Sequence, residues 1–279
     1  MKTNTDSITY NDSVNSGERF EFGKNWKSFL KTLNDERIEV AIQSLKDMLE
    51  VDSLEGKSFL DIGSGSGLFS LAAKKMGAKV HSLDFDPNSV GCTKELKNRF
   101  FKNDPNWTIE EGSALDTKYI SSLGFFDIVY SWGVLHHTGN MYLALDNADL
   151  PVKNGGLLFI AIYNDQGKRS KLWTRIKKTY CSGFLGKMFI LSIFLPYYLT
   201  RGLVEDLLRF RNPYKRYRDY KKQRGMQMIY DWYDWLGGLP FEVASVKQLF
   251  HFYQKKKYIL QNIITGPGMN QLVFKKNMN

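Results

Sequence analysis

Three groups of residues have types and spacings that could do chemistry. The first is Gly63-Ser-Gly65-Ser-Gly67, directly after the short apolar segment Ser58-Phe-Leu-Asp-Ile62. A strand that ends in a glycine turn and opens a helix lets backbone approach a ligand closely. Asp84 stands 17 residues after Gly67, at the tip of the next apolar segment, where a carboxylate can accept ribose hydroxyls. A dinucleotide fingerprint would want glycine at position 68, which is leucine here. A dinucleotide also brings a pyrophosphate, which Asp61 beside the loop would repel, whereas Asp61 suits an ammonium group. S-adenosylmethionine therefore fits these residues better than NAD.

The second group is the histidines. His81 and His251 fall inside expected elements and read as structural. His136 and His137 follow the fourth expected strand, at the edge where an open parallel sheet binds ligands. Either could serve as a base for a hydroxyl acceptor or orient it; packing or capping of the Thr138-Gly139 turn is the alternative. Tyr163, Asn164 and Asp165 end the fifth strand at the same edge and could bind the acceptor. The third group is the aromatic-acidic run Tyr230-Asp-Trp-Tyr-Asp-Trp235, in which Asp231 and Asp234 are alternative bases. No close cluster of histidines and carboxylates has ligand spacing, so no metal is expected.

These residues need elements to hold them. Over 18–50 the apolar residues recur at three- and four-residue spacing and predict two amphipathic helices. Strands are expected over 58–62, 79–83, 107–111, 126–131 and 157–163, with helices between them. Asp86 and Pro87 are expected at the N-cap and first position of the second crossover helix. Strands alternating with helices imply a parallel sheet wound on both faces. A helix capped by Ser245 and strands at 258–265 and 271–275 follow. The short Gly266-Pro-Gly268 connection makes those last two strands an antiparallel hairpin.

The ordered segments Leu60-Asp61-Ile-Gly63-Ser-Gly65-Ser-Gly67, Leu83-Asp84-Phe-Asp86-Pro87, Glu111-Gly-Ser-Ala114-Leu-Asp116, Phe126-Asp127-Ile-Val-Tyr-Ser-Trp-Gly-Val-Leu-His136-His137 and Lys153-Asn-Gly155-Gly156 resemble the motifs of class I S-adenosylmethionine-dependent methyltransferases. The closest texture is that of the ubiquinone-pathway O-methyltransferases. The resemblance covers roughly residues 56–165 and 241–275 and omits 168–235. It implies a Rossmann-like, seven-stranded, mostly parallel α/β sheet with an antiparallel last strand and helices on both faces. It also implies S-adenosyl-L-methionine as cofactor. Gly63, Gly65 and Gly67 would approach its methionine part and Asp61 its ammonium. Asp84, with Phe85 beside it, would take the ribose, and Ser113 and Ala114 would frame the adenine. The family usually carries Asp where Ser113 stands. Ser131 and Trp132 would lie near the sulfonium. Helices before the first strand often cover the cofactor in this family, so the run from Phe20 to Trp26 is either a lid or ordinary packing.

The chain has 279 residues, 43% apolar, with two cysteines, Cys92 and Cys181, in unrelated contexts. That composition excludes a disordered chain and a disulfide scaffold. Residues 1–15 contain no apolar core of a secretory signal, and a cytoplasmic chain is expected. The net charge of +10 is unevenly spread: residues 1–150 hold 16 lysines and arginines against 22 acids, and residues 151–279 hold 23 against 7. Within 168–224 the ratio is 16 to 3, beside a mostly apolar stretch at 181–199 that Lys187 and Pro196 interrupt. That stretch reads as an interfacial element on an anionic, peripheral membrane surface or as a buried lid over the acceptor; a span is disfavoured.

The expected organisation is a helical cap over 1–55, a cofactor-binding core over 56–167, a basic aromatic insertion over 168–239 and a completing helix and hairpin over 240–279. The expected reaction is methylation of a small or lipid-linked hydroxyl acceptor of the quinol or glycolipid-precursor type. RNA methylation through the basic insertion is one alternative. Against it, Ser131-Trp-Gly-Val stands where amine-methylating enzymes usually carry Asp/Asn-Pro-Pro-aromatic, and nucleic acid is the less expected partner. A membrane-associated protein that binds the cofactor without turnover is the other alternative.

Overall fold

A computed structural model describes residues 10–214 and 228–278, with the side chains of residues 24, 228–231 and 234 outside the described set. The chain divides into two units, Phe22–Ser170 with Phe241–Asn279, and Met1–Glu21 with Lys171–Pro240.

The first unit is built on seven strands: β1 (Ser58–Ile62), β2 (Lys79–Asp84), β3 (Trp107–Glu111), β4 (Phe126–Trp132), β5 (Val152–Tyr163), β6 (Tyr258–Ile264) and β7 (Met269–Lys276). Their order is β3-β2-β1-β4-β5-β7-β6. The first five are mutually parallel and β7 runs antiparallel to both β5 and β6. Strand order therefore reverses between β1 and β4, which opens a crevice at their C-terminal ends.

Alternation along the strands assigns each side chain a face. Leu60, Ile62, Val129, Leu158, Ile160, Leu272 and Phe274 pack with residues of α6 (Thr117–Ser122), α7 (Met141–Asp149) and α11 (Val246–Lys255). Phe59, Tyr130 and Phe159 face the other way, with the Phe59 and Phe159 rings against Tyr130 and Tyr130 against Phe69 of α4 (Leu68–Lys75). Three more helices belong to this unit: α2 (Phe22–Leu30), α3 (Asp35–Leu49) and α5 (Pro87–Phe100). Side-chain caps fix where the helices start: Asn34 for α3, Asp86 for α5, Asp116 for α6, Asn140 for α7 and Ser245 for α11, the last as a reciprocal capping box with Gln248.

Two boundaries differ from expectation. The fifth strand begins at Val152, paired with Phe126, and pairing resumes at Leu157 opposite Ile128. The Asn154-Gly-Gly segment is thus an irregularity within the strand rather than a turn before it, with Gly155 at φ 75°. Pro196, which interrupts the apolar stretch, lies within the helix α9 (Phe184–Leu208). The expected cap over 1–55 is shared between the two units, with α2 and α3 on the sheet unit and α1 (Tyr10–Asn15) on the other.

The second unit is helical. It contains α1, most of α8 (Lys168–Cys181), all of α9 and α10 (Met228–Gly237). Its centre is Tyr180, Ile190 and Leu236, against which Phe20, Trp173, Phe194 and Tyr198 pack. The buried Lys177 donates to the Trp235 carbonyl at 2.6 Å, and the Phe20 amide donates to the Leu239 carbonyl at 3.0 Å.

At the edge of the sheet opposite the crevice, Asp127 ties three strands. It accepts from the Ser58 amide at 2.8 Å, from the Ser58 hydroxyl at 2.7 Å and from Lys153 at 3.0 Å. Burial alone would raise its pKa, but these donors outweigh burial and hold it at about 2. The carboxylate therefore adds stability that is complete above pH of about 4 and is lost as the pH falls towards 2. Asp127→Asn should lower stability by about 1–3 kcal/mol near neutral pH, and the deficit should shrink in acid. Urea unfolding at both pH values checks this, and an equal deficit at both would refute it.

Candidate functional site

The crevice is built by three loops. The first is Gly63–Gly67, where the amides of Gly63 and Ser64 both donate to the Leu83 carbonyl, at 2.8 and 3.0 Å. Gly63 lies at φ 84°, and a Cβ there would stand 2.4 Å from the Val134 side chain, so only glycine fits. Gly65 lies at φ 55° with the Trp26 indole 3.2 Å from where its Cβ would be. Gly67 is the left-handed N-cap of α4.

Asp84 sits at the tip of β2, as expected. Its Oδ2 accepts from the Gly65 amide and its Oδ1 from the Asp86 amide, each at 2.8 Å. Helix capping belongs to Asp86, whose Oδ1 accepts from Asn88 and whose Oδ2 accepts from the Gly23 amide of α2. Phe85, half-buried, lies between the two acids. The Gly112 amide donates to the Asp84 carbonyl at 3.0 Å and so joins the third loop to the second. In that third loop the Ser113 hydroxyl accepts from the Leu115 amide, and the buried Ala114 offers its carbonyl to Asn147.

Asp61 is wholly buried on the α4 face of β1. Trp107 donates to the Ser82 hydroxyl at 2.9 Å, Ser82 and Ser70 share a bond of 2.7 Å, and Ser70 donates to Asp61 at 2.5 Å. The indole can only donate, and each hydroxyl has one proton, so the chain of donation runs one way, from Trp107 to the carboxylate. Burial raises the Asp61 pKa, the Ser70 hydroxyl opposes it and Asp84 adds to it, leaving the group at about 7. The buried Tyr130 hydroxyl, electrostatically coupled to Asp61, makes no hydrogen bond. Spacing gave no sign of this relay. Its signal was a serine on each of two apolar elements, Ser70 and Ser82, on the faces turned towards Asp61.

Ser131 and Trp132 part company. The Ser131 hydroxyl is buried and donates to the Ile62 carbonyl at 2.8 Å, pinning β4 to β1. Trp132 is partly exposed, stacks near Phe69 and donates to Gln271 on β7 at 3.1 Å.

His136 and His137 end a 3₁₀ turn after β4, and both are buried. The His136 ring lies 4.1 Å from that of Tyr163, and His137 lies 5.0 Å from Phe22, with Phe241 against Tyr163 at 5.4 Å. Glu242 secures the turn: its amide donates to the His136 carbonyl at 3.0 Å and its carboxylate accepts from the Met141 amide. Phe241 and Glu242 end the run that follows Trp235, which the sequence offers as a return to the core and a lining of the acceptor site; their pairing with a turn more than 100 residues earlier is not readable from it. Asn164 is engaged with the Gly266 carbonyl, and Asp165 is exposed. Helix α2 therefore touches three loops, with Trp26 at Gly65, Gly23 at Asp86 and Phe22 at His137, whereas Phe20 packs in the helical unit. His81 is paired with Glu110 and His251 contacts Gln254, both away from this turn. Asp231 lies on α10 in the helical unit, and the side chains of Asp231 and Asp234 fall outside the described residues.

A family model described as a methyltransferase domain matches residues 33–187. A ribosomal protein L11 methyltransferase of Helicobacter hepaticus is 31% identical over 110 residues, covering 34% of this chain and 35% of the relative. A ubiquinone biosynthesis O-methyltransferase of Rhizobium johnstonii is 27% identical over 133 residues, covering 46% and 49%. The chain thus spans about half or less of the length of these relatives. Among solved structures, an O-methyltransferase family protein from Burkholderia thailandensis superposes with a TM-score of 0.52 at 11% identity, covering 86% of this chain and 58% of that one. Magnesium protoporphyrin IX methyltransferase from Synechocystis PCC 6803, solved with bound SAH, gives 0.52 at 11% identity over 91% and 95%. These structural likenesses establish the fold.

The raised pKa of Asp61 has a stability consequence. The unfolded group ionises near its ordinary 3.8 and the folded one near 7, so stability falls as the pH rises across that window. Asp61→Asn should raise stability by the order of 1–3 kcal/mol near pH of about 8 and leave it unchanged near pH of about 4. Thermal unfolding at the two pH values decides, and a gain that is the same at both would contradict the buried charge.

Proposed function

The chain belongs to the methyltransferase-domain family, and on that premise we propose that it methylates a hydroxyl on a small or lipid-linked acceptor, of the quinol or glycolipid-precursor type. Its cofactor is S-adenosyl-L-methionine, which supplies a sulfonium-activated methyl group for in-line displacement. The observation that carries the reading is the pair of carboxylates at the glycine loop. Asp61 is buried against burial energy and the Asp84 charge, with a hydroxyl relay in support, and such a group is relieved by a cation. The cofactor's ammonium is that cation.

In this reading the Asp84 carboxylate, held in place by the Gly65 and Asp86 amides, would accept the ribose hydroxyls. Ser113 and Ala114 border the adenine, and Phe85 lies beside the ribose. Trp26 over Gly65 excludes water from the loop. Methyl transfer asks mainly for alignment and dryness, with a base only where the acceptor must lose a proton. His136 and His137, at the end of β4 among Tyr163, Phe22 and Phe241, are the groups that would orient the hydroxyl and take its proton. The relatives named for ubiquinone biosynthesis support an oxygen acceptor.

Three outcomes follow. Binding of the ammonium favours ionised Asp61, so cofactor affinity should fall by up to about tenfold per pH unit below about 7, with proton uptake from the buffer absent above it and proton release below it. Calorimetry in buffers of differing ionisation enthalpy reads this directly. Asp84→Ala should weaken binding at least about tenfold, since each charge-assisted bond is worth about 1.5–3 kcal/mol. Transfer of labelled methyl to a demethylated quinol, lost in His136→Ala or His137→Ala at unchanged cofactor affinity, tests the reaction. Labelling of RNA or protein in its place would overturn the acceptor class.

A further inference from the structure

Helix α9 is inside out. Its inner arc holds Ile190, Phe194 and Tyr198, packed against Trp173 of α8 and Trp232 of α10. Its outer arc, at the three- and four-residue spacing of one helix face, presents Leu185, Phe189, Ile193, Pro196, Leu199, Leu203 and Leu207, all exposed. No charged residue falls on that arc; Lys187, Arg201, Glu205 and Asp206 all lie off it. A helix on the surface of a soluble domain shows the reverse pattern. The face runs for about 33 Å at 1.5 Å per residue, well beyond an ordinary exposed patch.

The serine and threonine hydroxyls of α9 are also dealt with internally. Ser192 donates to the Phe189 carbonyl and Thr200 to the Pro196 carbonyl, each at 2.8 Å, so neither asks for water. Backbone-satisfied hydroxyls are what an apolar solvent demands.

The neighbouring helix supplies charge. Helix α8 contains no acid, and Lys171, Arg175 and Lys178 are exposed along one of its faces. At the far end of α9, Phe210 is 99% exposed between Arg209 and Arg211. An apolar face flanked by cations and an aromatic tip matches the boundary of an anionic bilayer.

We propose that the outer face of α9 lies in the surface of an anionic phospholipid bilayer, with the cations of α8 and the Arg209-Phe210-Arg211 tip among the headgroups. The helix is long and apolar enough to span. Spanning is refused by connectivity: β6 and β7 follow α9 in the chain and complete the same sheet as β1 to β5. The chain would have to cross back, and among the described residues between α9 and β6 the helices α10 and α11 have 10 residues each, too short to do so. This inference stands independently of the methylation chemistry.

The test is flotation of the full chain with phosphatidylcholine vesicles, with and without phosphatidylglycerol. Binding should need the anionic lipid, weaken at high salt and survive no carbonate wash. The variant Phe189→Ser, Leu199→Ser, Leu203→Ser and the variant Lys171→Glu, Arg175→Glu, Lys178→Glu should each bind at least about tenfold more weakly. Both should keep the circular dichroism and cofactor affinity of the parent. If the apolar variant misfolds, the charge variant decides alone. No flotation of the parent, flotation unchanged in the charge variant, or retention after carbonate would overturn the proposal. So would a dimer in light scattering, dispersed by the apolar variant, in a protein that ignores vesicles.

Discussion

Two backbone amides, those of Gly65 and Asp86, point at the single carboxylate of Asp84. One belongs to the loop after β1 and the other to the turn after β2, and the carbonyl of the same residue receives the amide of Gly112 from the loop after β3. Three crossover connections are thus registered at one position. Neighbouring parallel strands bring the loops near each other, but hydrogen bonds to Asp84 set how they meet. Asp86 extends the arrangement to α2 through the Gly23 amide, so the helix over the loops is anchored by the acid next but one in sequence.

That geometry leaves a concentration of negative charge. Asp61 and Asp84 repel, and Asp61 is held away from water on the α4 face of the sheet. The one-way relay from Trp107 through Ser82 and Ser70 offsets part of the burial cost without supplying a positive charge. A buried carboxylate so arranged is relieved either by taking up a proton, which is why its pKa is raised to about 7, or by a cation placed beside it.

The sheet was legible because its signals are local: strand-length apolar runs, Asp86 and Pro87 at a helix start, Ser245 at another, and a three-residue connection that dictates an antiparallel pair. The loop residues were legible because only glycine tolerates the φ of 84° at Gly63. Long-range partners were not. Nothing near His136 in sequence announces Glu242, and nothing near Gly65 announces Trp26, since those contacts are created by the fold. The bond from the Ser131 hydroxyl to the Ile62 carbonyl, 69 residues away in the chain, is of the same kind. The Asn154-Gly-Gly segment looked like a turn because its residues are turn-formers, and the sheet absorbed it within β5.

The net charge of +10 belongs to two different physical situations. In the sheet unit Lys74, Lys153, Lys256 and Lys276 pair with acids, as Lys153 does with Asp127 and Lys256 does with Asp146 and Asp149. On α8 the exposed cations have no acid on their own helix, and they neighbour a helix whose exposed arc is uncharged. Charge by itself would suit RNA as well as lipid, because phosphates present the same sign in both. The apolar arc separates the two. A nucleic acid offers bases for stacking but no medium in which six aliphatic and aromatic side chains in a row are better off than in water, and a bilayer does.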